Sequence, residues 1–204
     1  MPRLDVLPGR TVAGRVGSSV NNANQTNSPQ YADQAFLHTT PLDPRAQEVL
    51  RDLEGEYDRR YGNLFGEPAS TEINRYPIEL FSAPRGTFLL LLRGDRPVSA
   101  GAFMTIDENT VEVKRMWTHA NHRGQGLAKL VLAELEAEAL RRGFSTIVLS
   151  TGPRQPEAVR LYLGAGYTPL FDTSLPAETV VIHYFTKALD STTPQPHPPE
   201  GTSS

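Results

Sequence analysis

The chain has 204 residues, of which 38% are hydrophobic, and its formal net charge is −3. This composition is sufficient for one hydrophobic core, so one domain is expected. The absence of cysteine excludes disulfides, thiolate metal ligands and an enzyme-bound thioester intermediate. The sequence has no lysine- or arginine-rich block, and its longest apolar run, Phe88–Leu92, is too short to span a bilayer. We therefore expect no nucleic-acid or membrane partner and a cytoplasmic location.

Both ends of the sequence are polar and lack apolar periodicity. Residues 1 to about 33 are rich in Asn, Ser, Gly and Gln, and residues 190–204 are rich in Thr, Pro and Ser. Such segments bury too little surface to offset their ordering entropy. The pattern predicts a flexible extension at 1–33, a domain at 34–189 and a disordered tail at 190–204. A strap on the domain or on a partner subunit is the alternative for the first segment.

The domain is predicted to begin with a strand at Ala35–His38 and a long helix. Asp43 and Pro44 provide an N-cap and a first-turn proline, and Gly62 ends the helix. The apolar positions at helical spacing are Val49, Leu50, Leu53 and Tyr57. The following segment, 63–84, contains three prolines and is predicted to be irregular. A loop of this length inside a compact domain is usually functional or mobile.

Three strands joined by short turns are predicted next. They are Thr87–Arg93, Val98–Ile106 and Thr110–Thr118, with turns at Gly94-Asp95 and Asp107–Asn109. An amphipathic helix then ends at Gly143. The last predicted elements are a strand at Thr146–Ser150, a helix at Pro156–Leu163, and strands at Tyr167 and Val180–Thr186. The fold class is therefore α/β (α+β), with a mixed, mostly antiparallel sheet of six to seven strands and helices on both faces.

A glycine-rich turn lies between the third strand of this group and the amphipathic helix. Its sequence is Arg123-Gly124-Gln125-Gly126-Leu127-Ala128. Such a turn leaves unpaired N–H groups at the positive end of a helix dipole, which favours a phosphate or pyrophosphate. Arg123 adds a positive charge with several hydrogen-bond donors. The spacing fits neither a P-loop nor a dinucleotide-binding turn.

This turn resembles the acetyl-CoA-binding motif [QR]-x-x-G-x-[GA] of the GCN5-related N-acetyltransferases (GNAT). A second match follows at Gln155, Ala158, Leu161-Tyr162 and Gly166-Tyr167, which resembles the signature N-x-x-A-x-x-L-Y-x-x-x-G-[FY] of that superfamily. The run from Glu56 to Gly62 is similar to bacterial small-molecule members. The resemblance implies an acetyl-CoA-dependent N-acetyltransferase that needs no metal.

The resemblance also implies which residues bind the donor. The amides of Gly124, Gln125, Gly126, Leu127 and Ala128, with Arg123 beside them, would bind the pyrophosphate. Backbone groups of Met116, Trp117 and Thr118 would pair with the pantetheine arm, and one of those N–H groups would polarise the acetyl carbonyl. Gln155 occupies a position where the family usually has asparagine, which contacts the donor.

Two residues are candidates for proton transfer. By resemblance, Tyr162 is the general acid for the leaving sulfur, and an ordinary core aromatic is its alternative. Glu112 is the candidate base, with a salt bridge to Lys114 as an equal alternative. Strand alternation places Glu112, Lys114, Met116 and Thr118 on one face, and Val113, Arg115 and Trp117 on the other.

Four residues are weaker candidates for acceptor contact. Glu56 and Arg60 have the spacing of an ordinary helix salt bridge, and Arg75 and Tyr76 belong to the 63–84 loop. His119 and His122 lack a third ligand nearby and are interpreted as exposed turn residues rather than a metal site.

The expected acceptor is a small primary amine. A protein N-terminal or lysine acetyltransferase is one alternative, and a CoA-binding sensor without turnover is another. The sequence does not distinguish a monomer from a homodimer.

Overall fold

A computed structural model describes residues 33–62, 64, 68 and 70–189. The helices are α1 (Pro44–Tyr61), α2 (Thr71–Asn74), α3 (Leu127–Arg141) and α4 (Pro156–Gly164). The strands are β1 (Gln34–Thr39), β2 (Gly86–Arg93), β3 (Arg96–Thr105), β4 (Thr110–Thr118), β5 (Thr146–Thr151), β6 (Thr168–Pro169) and β7 (His183–Ala188). The extension predicted at 1–33, except Asp33, and the tail predicted at 190–204 lie outside the described residues.

The seven strands form one sheet in the order β1-β2-β3-β4-β5-β7-β6. The first four strands form an antiparallel meander, and β7 pairs antiparallel with both β5 and β6. The pair β4 and β5, connected through α3, is parallel. The mixed, mostly antiparallel sheet predicted from the sequence is therefore confirmed.

Helices cover both faces of the sheet, as predicted, and each face has its own core. One core contains the buried face of α3, including Val131 and Leu135, and the other contains the buried face of α1, including Val49. The apolar run of β2 contributes to both, because Leu89 packs in the first core and Leu90 in the second. Five consecutive apolar residues therefore indicate a strand covered on both faces rather than a membrane segment. None of the described helices combines the length and apolarity needed to cross a membrane.

The predicted ends of α1 are confirmed. The carboxylate of Asp43 accepts a hydrogen bond from the Arg45 N–H at 2.9 Å, and Pro44 occupies the first turn. At the other end, Gly62 has φ of 53°, and its N–H donates to the Asp58 carbonyl at 2.9 Å. Local sequence signals therefore set both ends of the helix.

Three predicted segments differ from the structure. The loop at 63–84 was predicted to be irregular, but it contains α2 and a 3-10 helix at Ile78–Phe81, because Ile73 and Phe81 are buried in the α1 core. The last strand was predicted from Val180, but β7 begins at His183. Its partner β5 ends at Thr151, opposite His183, so the residues before His183 have no β5 residue to pair with. Tyr167, predicted as a strand, directly precedes β6.

A β-bulge in β4 overturns the predicted alternation of its side chains. Arg115 has φ of 58°, and the β3–β4 register shifts between Ala100 and Ala102. The extra residue reverses which face the following side chains occupy. Val113 and Met116 therefore pack on the α3 side, whereas Trp117 lies in the α1 core.

Candidate active site

The parallel strands β4 and β5 separate at one end of the sheet, and the separation opens a cleft. Their pairing ends at Val113 and Leu149, although β4 continues to Thr118 and β5 to Thr151. A cavity of about 390 Å³ lies in this region. Parts of β4, the glycine-rich turn, α4 and one face of α1 line it. The sequence thus brings its two motif regions to a single cleft.

The glycine-rich turn borders the cleft and leads into α3. Gly124 and Gly126 have φ of 75° and 76°, a left-handed conformation that glycine adopts without strain. Within the described chain, no backbone N–H from Gly124 to Ala128 donates to a protein acceptor. The dipole of the 15-residue α3 adds partial positive charge at this point. The geometry of the turn suits a phosphate-type anion.

Two side chains of the turn contact other parts of the protein. Arg123 donates from Nε to the Thr118 carbonyl at 3.2 Å and from Nη2 to Glu56 Oε2 at 2.7 Å. The arginine therefore lies between β4 and α1 while lining the cleft. Gln125 accepts from Arg93 Nη2 at 2.9 Å and is not among the side chains of the cleft wall.

The end of β4 is anchored through its side chains. Trp117 donates from Nε1 to Asp52 Oδ2 at 2.7 Å, and the Thr118 hydroxyl lies 2.9 Å from the Ser99 hydroxyl. Met116, Trp117 and Thr118 all line the cleft. Because β4 is no longer paired with β5 here, its backbone edge faces the cleft, as expected for a strand that binds an extended ligand.

Tyr162 on α4 also lines the cleft. Its ring packs against Tyr167 and Phe185, with centroids 5.9 Å and 5.4 Å away. Burial raises the pKa of the Tyr162 hydroxyl above its usual value, so the phenol is protonated at neutral pH. No protein acceptor among the described residues binds this hydroxyl.

The side chain of Gln155 lies at the start of α4 and lines the cleft. Its Oε1 accepts from the Thr151 hydroxyl at 2.8 Å, and from the Tyr61 hydroxyl and the Gly152 N–H at 3.3 Å each. The amide oxygen is therefore used to join α1, β5 and α4. Contact between Gln155 and the donor stays a prediction that rests on its amide nitrogen.

Glu112 is not brought together with Tyr162. Its carboxylate pairs with Lys114 Nζ at 3.0 Å, and Glu112 is not among the residues lining the cleft. The structure contains the salt bridge that was one of its two predicted roles, and its role as a base stays a prediction.

The structure does not bring the four acceptor candidates together in one place. Glu56 lines the cleft and accepts from Arg60 at 2.6 Å, the predicted helix pair, while Arg60 also pairs with Glu157. Arg75 and Tyr76 instead line a second cavity of about 500 Å³ between α1 and the α2 region. We call this second cavity the loop cavity.

The structure also identifies cleft residues that the sequence did not. Tyr57 and Glu157 line the cleft, and Asp52 orients Trp117. Tyr57 was predicted only as an apolar helix position, although its spacing from Leu53 and Glu56 places the three on one face. Asp52 gave no sequence signal, since its partner is distant in the chain.

The histidines beside the turn are half-buried rather than exposed. The rings of His119 and His122 lie 5.5 Å apart, and His119 accepts from the Asn121 N–H. Among the residues that the structure describes, no group of three His, Asp or Glu side chains could hold a metal ion.

Comparison with known proteins identifies the class. Residues 46–167 match the model of the Acetyltransferase (GNAT) family. An IAA acetyltransferase from Azospirillum brasilense is 30% identical over 122 residues, which cover 59% of this chain and 78% of that protein. The N-acetyltransferase YsnE from Bacillus subtilis strain 168 is 35% identical over 89 residues, which cover 44% of this chain and 58% of that protein.

Solved structures agree on the fold. An acetyltransferase from Streptococcus agalactiae has a TM-score of 0.60 at 19% identity, covering 78% of this chain and 99% of that one. A GNAT family acetyltransferase from Elizabethkingia anophelis with acetyl-CoA bound has a TM-score of 0.54 at 15% identity, with coverage of 78% and 99%. The family match and the sequence relatives define the chain as an acyltransferase. The chain belongs to the GNAT family, as its motifs predicted.

Proposed function

We propose that the protein transfers the acetyl group of acetyl-CoA to the primary amine of a small molecule, by direct attack within a ternary complex. The observation that carries this proposal is the series of free N–H groups from Gly124 to Ala128, beside the open edge of β4. Acetyl-CoA, when bound, supplies an activated acyl thioester. The absence of cysteine leaves no thiol to carry the acetyl group between donor and acceptor.

The protein's part begins with donor binding. In this proposal the free amides and Arg123 bind the pyrophosphate, because both present donors and positive charge to an anion. The backbone of Met116, Trp117 and Thr118 binds the pantetheine arm along the unpaired edge of β4. A fixed N–H group on this edge polarises the acyl carbonyl more effectively than water would.

Tyr162 is assigned as the general acid. As the amine nitrogen forms a bond to the acetyl carbon and the C–S bond breaks, the Tyr162 hydroxyl gives its proton to the departing sulfur, and the proton released from the amine passes to water and restores the hydroxyl. The raised pKa of Tyr162 keeps a proton on the hydroxyl at neutral pH, as a general acid requires. The ion pair with Lys114 and the position outside the cleft wall favour a structural role for Glu112 over that of a base.

The lining of the cleft by two helices favours a small acceptor over an extended peptide. Leu53, Glu56 and Tyr57 of α1 line it together with Tyr162 of α4. A protein acetyltransferase would need an open groove between these helices. A non-catalytic CoA sensor would not need a tyrosine hydroxyl in the wall of the cleft.

Release of CoA from acetyl-CoA, measured with a thiol reagent against a panel of amines, tests the proposal. The protein adds no background because it has no cysteine. Mass spectrometry of the products identifies the acetylated amine.

We expect Arg123→Ala to raise the acetyl-CoA dissociation constant by about tenfold, because the variant loses a charge-assisted hydrogen bond to the donor. Arg85→Ala, at the opposite end of the sheet, is the matched control.

Each alternative gives a distinct result. Tight CoA binding without release for any amine would indicate a sensor, and release with peptides alone would indicate a protein acetyltransferase. An unchanged dissociation constant in Arg123→Ala would remove Arg123 from the donor site.

A further inference from the structure

Arg115 lies in the walls of both the cleft and the loop cavity. Its position in the β4 bulge places the side chain among the residues lining both. The loop cavity has a volume of about 500 Å³ and lies between α1 and residues 73–78. A molecule that occupies the loop cavity through Arg115 therefore lies next to the cleft that contains Tyr162.

The guanidinium of Arg115 is buried and only partly satisfied. The residue is 8% exposed, and its Nη2 donates to the Ile73 carbonyl at 2.7 Å. The group lies over the Phe81 ring, 3.7 Å from the centroid. Within the part of the chain that the structure describes, its Nη1 is buried without a hydrogen-bond partner. No carboxylate of the described residues forms an ion pair with it, and Glu54, whose charge acts on it, is bound to Asn74 at 2.9 Å.

A buried cation without a counter-ion is unfavourable, because burial removes its hydration. Burial lowers the pKa of Arg115 to about 10, so the group is still charged at neutral pH. The loop cavity is also lined by Arg51, whose exposed side chain adds positive charge, and by Glu54, whose carboxylate is bound to Asn74. The guanidinium of Arg115 is therefore a buried cation in the wall of this cavity, with no carboxylate partner among the described residues.

We propose that the acceptor is an amine that also bears a carboxylate, and that Arg115 binds this carboxylate in the loop cavity. The planar guanidinium matches a carboxylate in geometry and charge. Leu50, Ile73 and Tyr76 provide apolar surface for the rest of the molecule. The amine is then directed to the cleft. This inference rests on the proposed function and narrows its substrate to amino acids with apolar side chains.

Matched substrates test the inference on the unmodified protein. Each of L-leucine and L-phenylalanine is compared with its amide and with its decarboxylated amine, by thiol release and by calorimetric binding. We expect kcat/KM to be lower by about 10- to 100-fold for the amide and for the decarboxylated amine than for the amino acid, because both lose the charge-assisted contact with Arg115. Equal use of acid and amide would overturn the inference.

Two variants identify the residue responsible. Arg115→Lys keeps the charge but loses the planar group, and we expect it to raise KM for the amino acid by about tenfold. Because Arg115 occupies a strained bulge, Arg51→Glu on the exposed surface of α1 is a second variant, and it should weaken amino-acid binding without changing acetyl-CoA binding. Arg59→Glu makes the same charge change on α1 away from the cavity.

The results separate this inference from the proposed function. Carboxylate-dependent binding that Arg51→Glu weakens, without thiol release from any amine, would support the subsite and refute the transfer activity. Thiol release with neutral amines and no preference for a carboxylate would support the transfer activity and refute the subsite. Equal amino-acid affinity in Arg51→Glu and Arg59→Glu would also refute it.

Discussion

The hydroxyl of Tyr162 is separable from the packing of its ring. The ring contacts Tyr167 and Phe185 in the α3-side core, whereas the residue also lines the cleft. Phenylalanine would keep the ring contacts and remove only the hydroxyl. A change at this single atom therefore tests chemistry without opening a cavity.

We expect Tyr162→Phe to lower kcat by about 100-fold, which is typical for loss of a general acid. The dissociation constant for acetyl-CoA should be unchanged, because the proposed pyrophosphate site is on the turn and not on α4. Tyr167→Phe is the control, since it also removes a buried hydroxyl and Tyr167 is not a cleft residue. Equal kcat in Tyr162→Phe and the wild-type protein would contradict the assignment.

Among individual residues, the sequence predicted those whose role is marked by neighbouring residues in the chain. The turn from Arg123 to Ala128 could be recognised because its glycines and its helix are contiguous. The Trp117–Asp52 hydrogen bond could not, because 65 residues separate its partners. Strict alternation predicted the wrong faces for Met116 and Trp117 relative to Val113, because no local signal marks the bulge at Arg115.

The bulge in β4 explains the shape of the element that forms the cleft. An extra residue at Arg115 rotates the end of β4, and Gly101 on β3 lies opposite this irregularity. A Cβ at Gly101 would come 2.7 Å from Met116 Sδ and 2.8 Å from Leu135 Cδ1. Gly101 therefore allows α3 and Met116 to approach the sheet closely.

The first turn of α1 shows how an element's stability depends on pH. Hydrogen bonds from Arg45 hold the pKa of Asp43 below its usual range, with Nε at 3.0 Å and Nη2 at 2.8 Å. A pKa lowered by folding stabilises the folded state above the unfolded pKa and loses that effect as pH falls. The ion pair should therefore contribute near neutral pH and progressively less in acid.

We expect Asp43→Asn to lower Tm at about pH 7, with a smaller difference from wild type at about pH 3. Asparagine can still cap the helix, so the variant isolates the charge. Thermal unfolding followed by circular dichroism at several pH values measures the difference. A Tm difference that is the same at both pH values would contradict the role of the carboxylate charge.

Most secondary-structure elements were predictable because their signals are local. Caps, glycines and apolar periodicity set α1, α3 and the strands of the meander. The helices within segment 63–84 were not predictable, because α2 and the neighbouring 3-10 helix depend on the burial of Ile73 and Phe81 against α1. The start of β7 depends on where β5 ends, which is a tertiary contact.

On the scale of the whole molecule, an ionic network joins both sides of the cleft. Glu56 on α1 binds Arg123 at the turn and Arg60 on its own helix, and Arg60 also pairs with Glu157 on α4. Arg60 Nη1 donates to the Arg154 carbonyl at 2.8 Å, and Arg154 Nη1 donates to the Arg60 carbonyl at 2.9 Å. The end of α1 thus connects the turn with α4.

This network places a negative charge beside the proposed donor site. Glu56 is largely buried, with 12% of its side chain exposed, so solvent screens its charge only partly. Its carboxylate positions Arg123 but also repels an anion at the turn. Removing the charge while keeping the side chain's shape should therefore have opposite effects on stability and on donor binding.

We expect Glu56→Gln to lower Tm by about 2–4 °C, which corresponds to about 1 kcal/mol for a chain of this size. The same change should tighten acetyl-CoA binding by about threefold, because Arg123 is freed from its counter-ion. Calorimetric titration and thermal unfolding measure the two effects, and Glu48→Gln, exposed on α1, is the control. Weaker acetyl-CoA binding in Glu56→Gln would instead mean that positioning of Arg123 outweighs the repulsion, and an unchanged Tm would mean that the network does not stabilise the cleft.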